Sequence, residues 1–328
     1  MSSIPIPPGA DSADDRAFLG HPRGLGYISF AEAWERFSYY GMQTLLVLYM
    51  TQQLLLPGHV EHIAGMGWFR RLMEGFYNGG DAMSVVALSS AIFGLYTGLV
   101  YLTPIIGGVI ADRWLGRTTT VTIGAVLMAI GHFLMAFDVS FLAALFCLLT
   151  GVGCFKGNLA SQVGELYAPA DLRRADAFQV YYLFINAAVI ISPLVTGTLG
   201  EKVGWHWGFG AAGVGMVLGV LTFLAGTRYL PPEPPRQAAA RVPQPPMDRT
   251  DWLATTALIL LIPVLAISLV PNMQIFNAYM VWGDRDFDLV WFGTKLPTTW
   301  LVTVDSVVSC SFLLLVALFW RWYGKHRR

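Results

Sequence analysis

Residues 28–55, ISFAEAWERFSYYGMQTLLVLYMTQQLL, form a long and mostly apolar run, yet Glu32, Glu35 and Arg36 lie inside it. Counted from Glu32, Glu35 and Arg36 stand three and four residues on, and Tyr39 and Tyr40 seven and eight. On a helix those five side chains share one face over about two turns. Charges at membrane depth are costly, so this face is expected to look into a polar interior and to find partners there.

The rest of the chain sets that depth. Of 328 residues, 55% are hydrophobic and 13% charged, where a soluble domain carries roughly 25% charged residues. Several apolar runs reach the length of about 20 residues that a bilayer crossing takes. The fold class is an all-α polytopic membrane protein. A formal net charge of zero gives no sign of nucleic-acid binding. Cys147, Cys154 and Cys310 sit in apolar runs without metal-ligand spacing and read as buried fillers. No cofactor or metal is expected. The polar, proline-containing N-terminus lacks the apolar core of a signal peptide and reads as a disordered tail.

Membrane spans are expected at about 28–55, 85–111, 118–137, 140–165, 175–200, 205–229, 252–282 and 291–322. This divides the chain into a tail (1–24), a six-helix bundle (25–229), a proline-rich linker (230–250) and a two-helix segment (251–328). Between the first two spans, the segment around GMGWFRRLMEGFY fits a short surface helix as well as a plain loop. Fourteen of the 21 basic residues fall in the tail, the 112–117 and 166–175 loops, the linker and the C-terminus. Arg70, Arg71, Lys202, Arg285 and Lys295 fall on the opposite side. That bias puts both termini in the cytoplasm of a multi-pass inner-membrane protein. Six helices, a cytoplasmic linker and further helices match the first part of a major-facilitator layout.

Four places carry chemistry. In GGVIADRWLGR (107–117), Gly107 and Gly108 allow close helix packing, while Asp112, Arg113 and Arg117 form a charged loop, a gating element or simply a cytoplasmic anchor. Lys156 lies about fifteen residues into its span, where a lysine costs ~2.5–3.5 kcal/mol. A buried counter-ion (Glu32 or Glu35) or an anionic substrate accounts for it better than snorkelling. Tyr101 and Asn186 are polar groups in apolar spans, each compatible with a purely structural role. Asp305 is a further carboxylate, facing either the cavity or the outer interface. An acid/base enzyme built on Glu32 and Glu35 lacks any nucleophile, metal cluster or phosphate loop.

AEAWERFSYYG (31–41) is similar to the first-helix signature of proton-coupled oligopeptide transporters, the POT family of the major facilitator superfamily. YLTPIIGGVIADRWLGR resembles the family's second helix and following loop. GVGCFKGN resembles its fourth-helix lysine segment, with Gly157 where proline is usual. YYLFINAA resembles its fifth helix and GWHWGF (204–209) the start of its sixth. The resemblance implies a proton:peptide symporter for di- and tripeptides, working by alternating access. It implies proton coupling at Glu32 and Glu35, whose partners exchange with Arg36 and Lys156. It also implies peptide contacts from Arg36, Tyr39, Tyr40, Tyr101, Lys156 and Asn186, and a gating loop of Asp112, Arg113 and Arg117. The partners implied are small peptides, protons and the lipid bilayer.

Two departures stand against the family pattern. Met273, in PNMQIFNAY, occupies the place of a seventh-helix glutamate, and nothing after FWRWYGKHRR corresponds to the family's last four helices. The sequence therefore reads as truncated after the eighth helix and is not expected to drive uptake by itself. The alternatives are a split transporter completed by a second chain, a product with a binding or assembly role or no transport, and transport of another small anion.

Overall fold

The computed structural model describes residues 15–168, 170–232, 248–291 and 293–326. The N-terminal tail up to residue 14, most of the proline-rich linker (233–247), and Arg327 and Arg328 lie outside the described residues. In lipid a segment must satisfy its own backbone N–H and C=O groups, so each apolar run becomes a helix. In chain order these are α1 (Arg23–Tyr49), α2 (Met66–Tyr77), α3 (Val85–Ile110), α4 (Arg117–Leu134) and α5 (Phe141–Glu165). Then come α6 (Arg173–Ser192), α7 (Trp205–Gly226), α8 (Arg249–Met273), α9 (Ala278–Asp286) and α10 (Trp300–His326). Wider π-helical turns prolong α1 through Leu54, α3 through Leu115 and α6 through Val203. Among the described residues, seven helical stretches are long and apolar enough to cross a membrane. With α1, which is as long but carries the charged face, this gives the expected eight.

α1 is the central element. Twenty of its 27 residues are buried, and it packs on α6 and α7 while touching α3 and α5. α5 in turn packs between α3 and α4. Small residues set these crossings. A Cβ on Gly107 would lie 2.0 Å from the Gly153 carbonyl oxygen, so α3 and α5 meet backbone to backbone. The Asn158 side-chain amide seals that crossing by donating to the Gly107 carbonyl at 3.2 Å. Gly108, expected to share the role, faces open space. Gly124 and Gly151 make the corresponding close approach between α4 and α5.

One open choice is decided and two expected boundaries move. The segment before α3 is a helix, α2, with Trp68, Leu72 and Phe76 exposed one turn apart along one face. Arg70 and Glu74 form an ion pair (2.8 Å) on that helix. Aromatic and aliphatic groups at that spacing suit a helix lying in the membrane interface. The span expected at 252–282 breaks. Pro271 lacks the N–H that an α-helix uses there, a 3-10 turn follows at Gln274–Phe276, and Asn277 turns the chain (φ −128, ψ −95) into α9. The last span starts at Trp300 rather than 291, because Val290–Trp291 and Thr294–Lys295 pair as a tight antiparallel hairpin. Gly293 holds a left-handed φ of 76° in its turn.

α8 buries none of its residues. The later helices join the bundle at one end, through the buried Phe276, Met280 and Val302 and through polar contacts. Glu201 accepts hydrogen bonds from the Thr298 and Thr299 backbone N–H groups (2.7 and 2.9 Å) and from the Thr299 hydroxyl (2.7 Å). It therefore caps the start of α10, whose first-turn N–H groups have no partner within the helix. Gly197 makes room, since a Cβ there would sit 1.9 Å from the Thr299 hydroxyl. Gln52 donates to Asp284 (2.7 Å) and Ser90 to Asn277 (3.0 Å). Removing Glu201 leaves its buried donors unsatisfied, at about 2–3 kcal/mol. Hydrogen exchange of the amides at 298–303 is expected to speed up markedly in Glu201→Ala, with the α1–α7 bundle unchanged.

Candidate functional site

α1 presents its charged face to the interior of the bundle. Glu32, Glu35 and Arg36 are 3%, 0% and 4% exposed. The Arg36 Nε donates to Glu32 Oε1 at 2.8 Å, and the same nitrogen lies 2.5 Å from Glu35 Oε2. One guanidinium thus lies between two carboxylates. Glu35 Oε1 and Arg36 Nη2 are buried and find no hydrogen-bond partner among the described residues. A buried ion is tolerated only when its remaining lone pairs and protons are met. This cluster is therefore unfinished. With both carboxylates ionised it carries one negative charge in excess, which a proton or a second cation would cancel.

The aromatic residues line up around it. Tyr39 lies under the Arg36 guanidinium, 5.6 Å from ring centroid to carbon, and meets Tyr40 edge to face. Tyr40 stacks on Phe276 (5.9 Å), bringing the turn after α8 against α1. From α6, the buried Tyr181 sits in the field of Glu32. From α3, the Tyr96 hydroxyl is buried and unpartnered, close enough to feel Glu35. Neither Tyr96 nor Tyr181 was among the expected site residues. Tyr181 could have been found as the first tyrosine of YYLFINAA; Tyr96 carries no such signal, because only the packing of α3 on α1 brings it in.

Lys156 departs from expectation in one respect. Among the described residues it makes no ion pair, and its ammonium instead lies over the Tyr101 ring, 4.8 Å from the centroid. The two carboxylates instead turn one oxygen each to Arg36 within one helix turn. Tyr101, 54% exposed, directs its hydroxyl to the Met273 sulfur at 3.9 Å. A cavity of about 490 Å³ opens there between α3 and α8, lined among others by Thr97, Tyr101, Leu269, Met273 and Asn277. Met273, standing where the family pattern has a glutamate, is therefore on the wall of a cavity beside the lysine. Asn186 is exposed on α6 and donates to the Tyr182 carbonyl one turn back (2.9 Å). Asp305 is exposed on α10, with no hydrogen bond or ion pair among the described residues.

The loop after α3 assembles in part. Arg117 reaches Asp112 at 3.6 Å and pairs with Glu165 at the end of α5, while Arg113 is exposed. Gly116, at φ 81°, makes the turn that brings Arg117 back. Glu165 is a partner that the loop sequence alone does not reveal.

Residues 118–242 match the family described as POT family. The chain carries a POT family domain. Its charged first helix and Lys156 lie inside the POT resemblance on either side of that match's start. The chain is 37% identical over 226 residues to an uncharacterized transporter, YclF, of Bacillus subtilis (strain 168), covering 68% of this chain and 41% of that protein. It is also 34% identical over 257 residues to a di-/tripeptide transporter of Lactococcus lactis subsp. lactis (strain IL1403), covering 76% and 46%. Among solved structures, it superposes on a peptide transporter POT in complex with sulfate, at TM-score 0.71 and 27% identity. That match covers 98% of this chain and 73% of the other. The chain thus spans less than half the length of the curated relatives it matches. The likeness to that transporter fold agrees with the major-facilitator layout of the first six spans.

Proposed function

We propose that this chain forms the proton- and carboxylate-handling half of a secondary transporter for small peptides, in a cell membrane with both termini cytoplasmic. The observation that carries the reading is the unfinished buried cluster: one guanidinium between two carboxylates, with Arg36 Nη2 and Glu35 Oε1 unpartnered among the described residues. A peptide C-terminal carboxylate would take the vacant Arg36 donor and the Lys156 ammonium. Arg–carboxylate bonds of this kind are among the stronger hydrogen bonds. Engaging Arg36 with substrate loosens its hold on Glu35 and Glu32, and a carboxylate left buried without its cation takes a proton. Peptide and proton binding are then coupled through one arginine, and the coupling is reciprocal. Tyr39, Tyr40, Tyr101 and Asn186 are the groups we assign to the peptide backbone. Asp112, Arg113 and Arg117, with Glu165, are assigned to the cytoplasmic gate. Relatives named as peptide transporters support the substrate class.

The test separates coupling from binding. In liposomes with an imposed proton gradient, accumulation of a labelled dipeptide is expected for the transporter in which this half is joined by the remaining helices of its second half, and not for the 328-residue chain by itself. Glu35→Gln is expected to lose gradient-driven accumulation while keeping peptide counterflow across the membrane. Accumulation in Glu35→Gln that still follows the gradient would sink the coupling role.

A further inference from the structure

A long apolar groove runs outside the peptide and proton site, where α1 lies behind the seam between α6 and α7. Its volume is about 720 Å³, and Phe30, Trp34, Phe37, Phe184, Ile191 and Leu218 are prominent in its walls. No charged or hydroxyl side chain lines it. Along α6 it extends from Phe184 to Val195, roughly 16 Å at 1.5 Å per residue. That is about half the ~30 Å hydrocarbon thickness of a bilayer, the depth of one leaflet.

One end of the groove is polar. Phe30 is shared with a second cavity of about 500 Å³, lined by Phe18, Arg23, Gly26, Tyr27 and Thr222. Phe18, Phe30 and Phe184 pack ring against ring at the junction, with centroids 4.7 to 6.3 Å apart. The Arg23 side chain is exposed and makes no hydrogen bond or ion pair among the described residues. Asp15 takes the Arg23 backbone N–H at 2.9 Å; that bond chiefly, and the neighbouring guanidinium charge, hold its carboxyl below the usual range. Arg228 covers the Tyr229 ring, which stacks on Tyr27 of the same cavity wall. Two arginines therefore flank the mouth of an apolar slot one leaflet deep.

We propose that this groove is a binding site for one anionic phospholipid. An acyl chain would lie along Phe30–Phe37 and Phe184–Val195, with the headgroup phosphate on Arg23. Charge complementarity at the mouth selects an anionic over a zwitterionic headgroup, and the absence of polar groups in the slot suits only hydrocarbon.

The full chain, delipidated in mild detergent, is titrated with phosphatidylglycerol or phosphatidylcholine of identical chains and observed by native mass spectrometry. One phosphatidylglycerol per chain is expected, retained at least tenfold more strongly than phosphatidylcholine. Arg23→Gln is expected to erase that preference, and Ala187→Trp, which fills the groove from its open side, to block both lipids. Trp34 gives a measurement independent of those variants. Bromine-labelled phosphatidylglycerol is expected to quench a component of the fluorescence that Trp34→Phe lacks. Equal binding of the two lipids, a preference that survives Arg23→Gln, or quenching identical in Trp34→Phe would overturn the proposal.

Discussion

In the transporter completed by the remaining helices of its second half, Lys156→Ala is expected to bring gradient-driven dipeptide uptake down to the level of protein-free liposomes. The lysine is well inside α5, yet its charge is not consumed by the fold: it touches the Tyr101 ring and forms no ion pair among the described residues. A cation–π contact of this kind contributes about 1 kcal/mol, so the fold should tolerate its loss with little change in melting temperature. The substrate carboxylate, by contrast, would lose a charged partner in a site shielded from water. Truncating one member of such a pair costs at least ~3 kcal/mol, on the order of a hundredfold in affinity. The two readouts separate a transport role from a structural one. A large drop in melting temperature with uptake preserved per folded molecule would refute the assignment.

Gly107→Ala is expected to disrupt the bundle, while Gly108→Ala next to it is expected to be slightly stabilising. At 107 the new methyl group would stand 2.0 Å from the Gly153 carbonyl oxygen and 2.9 Å from the Cys154 Cα. All three nearest atoms are backbone, so no side chain can swing aside and α3 must separate from α5. Overpacking costs about 1–3 kcal/mol where side chains can yield, and more here. The separation would also break the Asn158 bond to the Gly107 carbonyl. At 108 nothing lies within 4 Å, and alanine is the better helix former by about 1 kcal/mol. Thermal melts of the two variants in detergent decide the matter: equal melting points would mean that the α3–α5 crossing is not the tight contact described.

The two glycines show where reading the chain stops. Both stand in the same GG pair, and close packing is equally available to either by sequence. Which one carries it depends on the rotation of α3 about its own axis, set by every other contact of that helix. The same holds for the site. Placing Glu32, Glu35, Arg36, Tyr39 and Tyr40 on one face needed only the 3.6-residue period. Finding that Arg36 holds both carboxylates required rotamers, since Lys156 was an equally charged candidate. Tyr96 comes near Glu35, and Glu165 pairs with Arg117, from helices distant in the chain, with no local pattern to mark them.

By itself, the sequence determined the membrane class, the first six spans, the charged face of α1 and the POT resemblance. All of these follow from hydrophobic length, helical period and short motifs, which are local properties. Tertiary structure alone decided the pairing inside the cluster, the lysine's place over Tyr101, the break at Asn277, the hairpin before α10 and the lipid-sized groove. Each of those depends on atoms far apart in the chain coming within a few ångströms, a distance that no spacing along a single helix encodes.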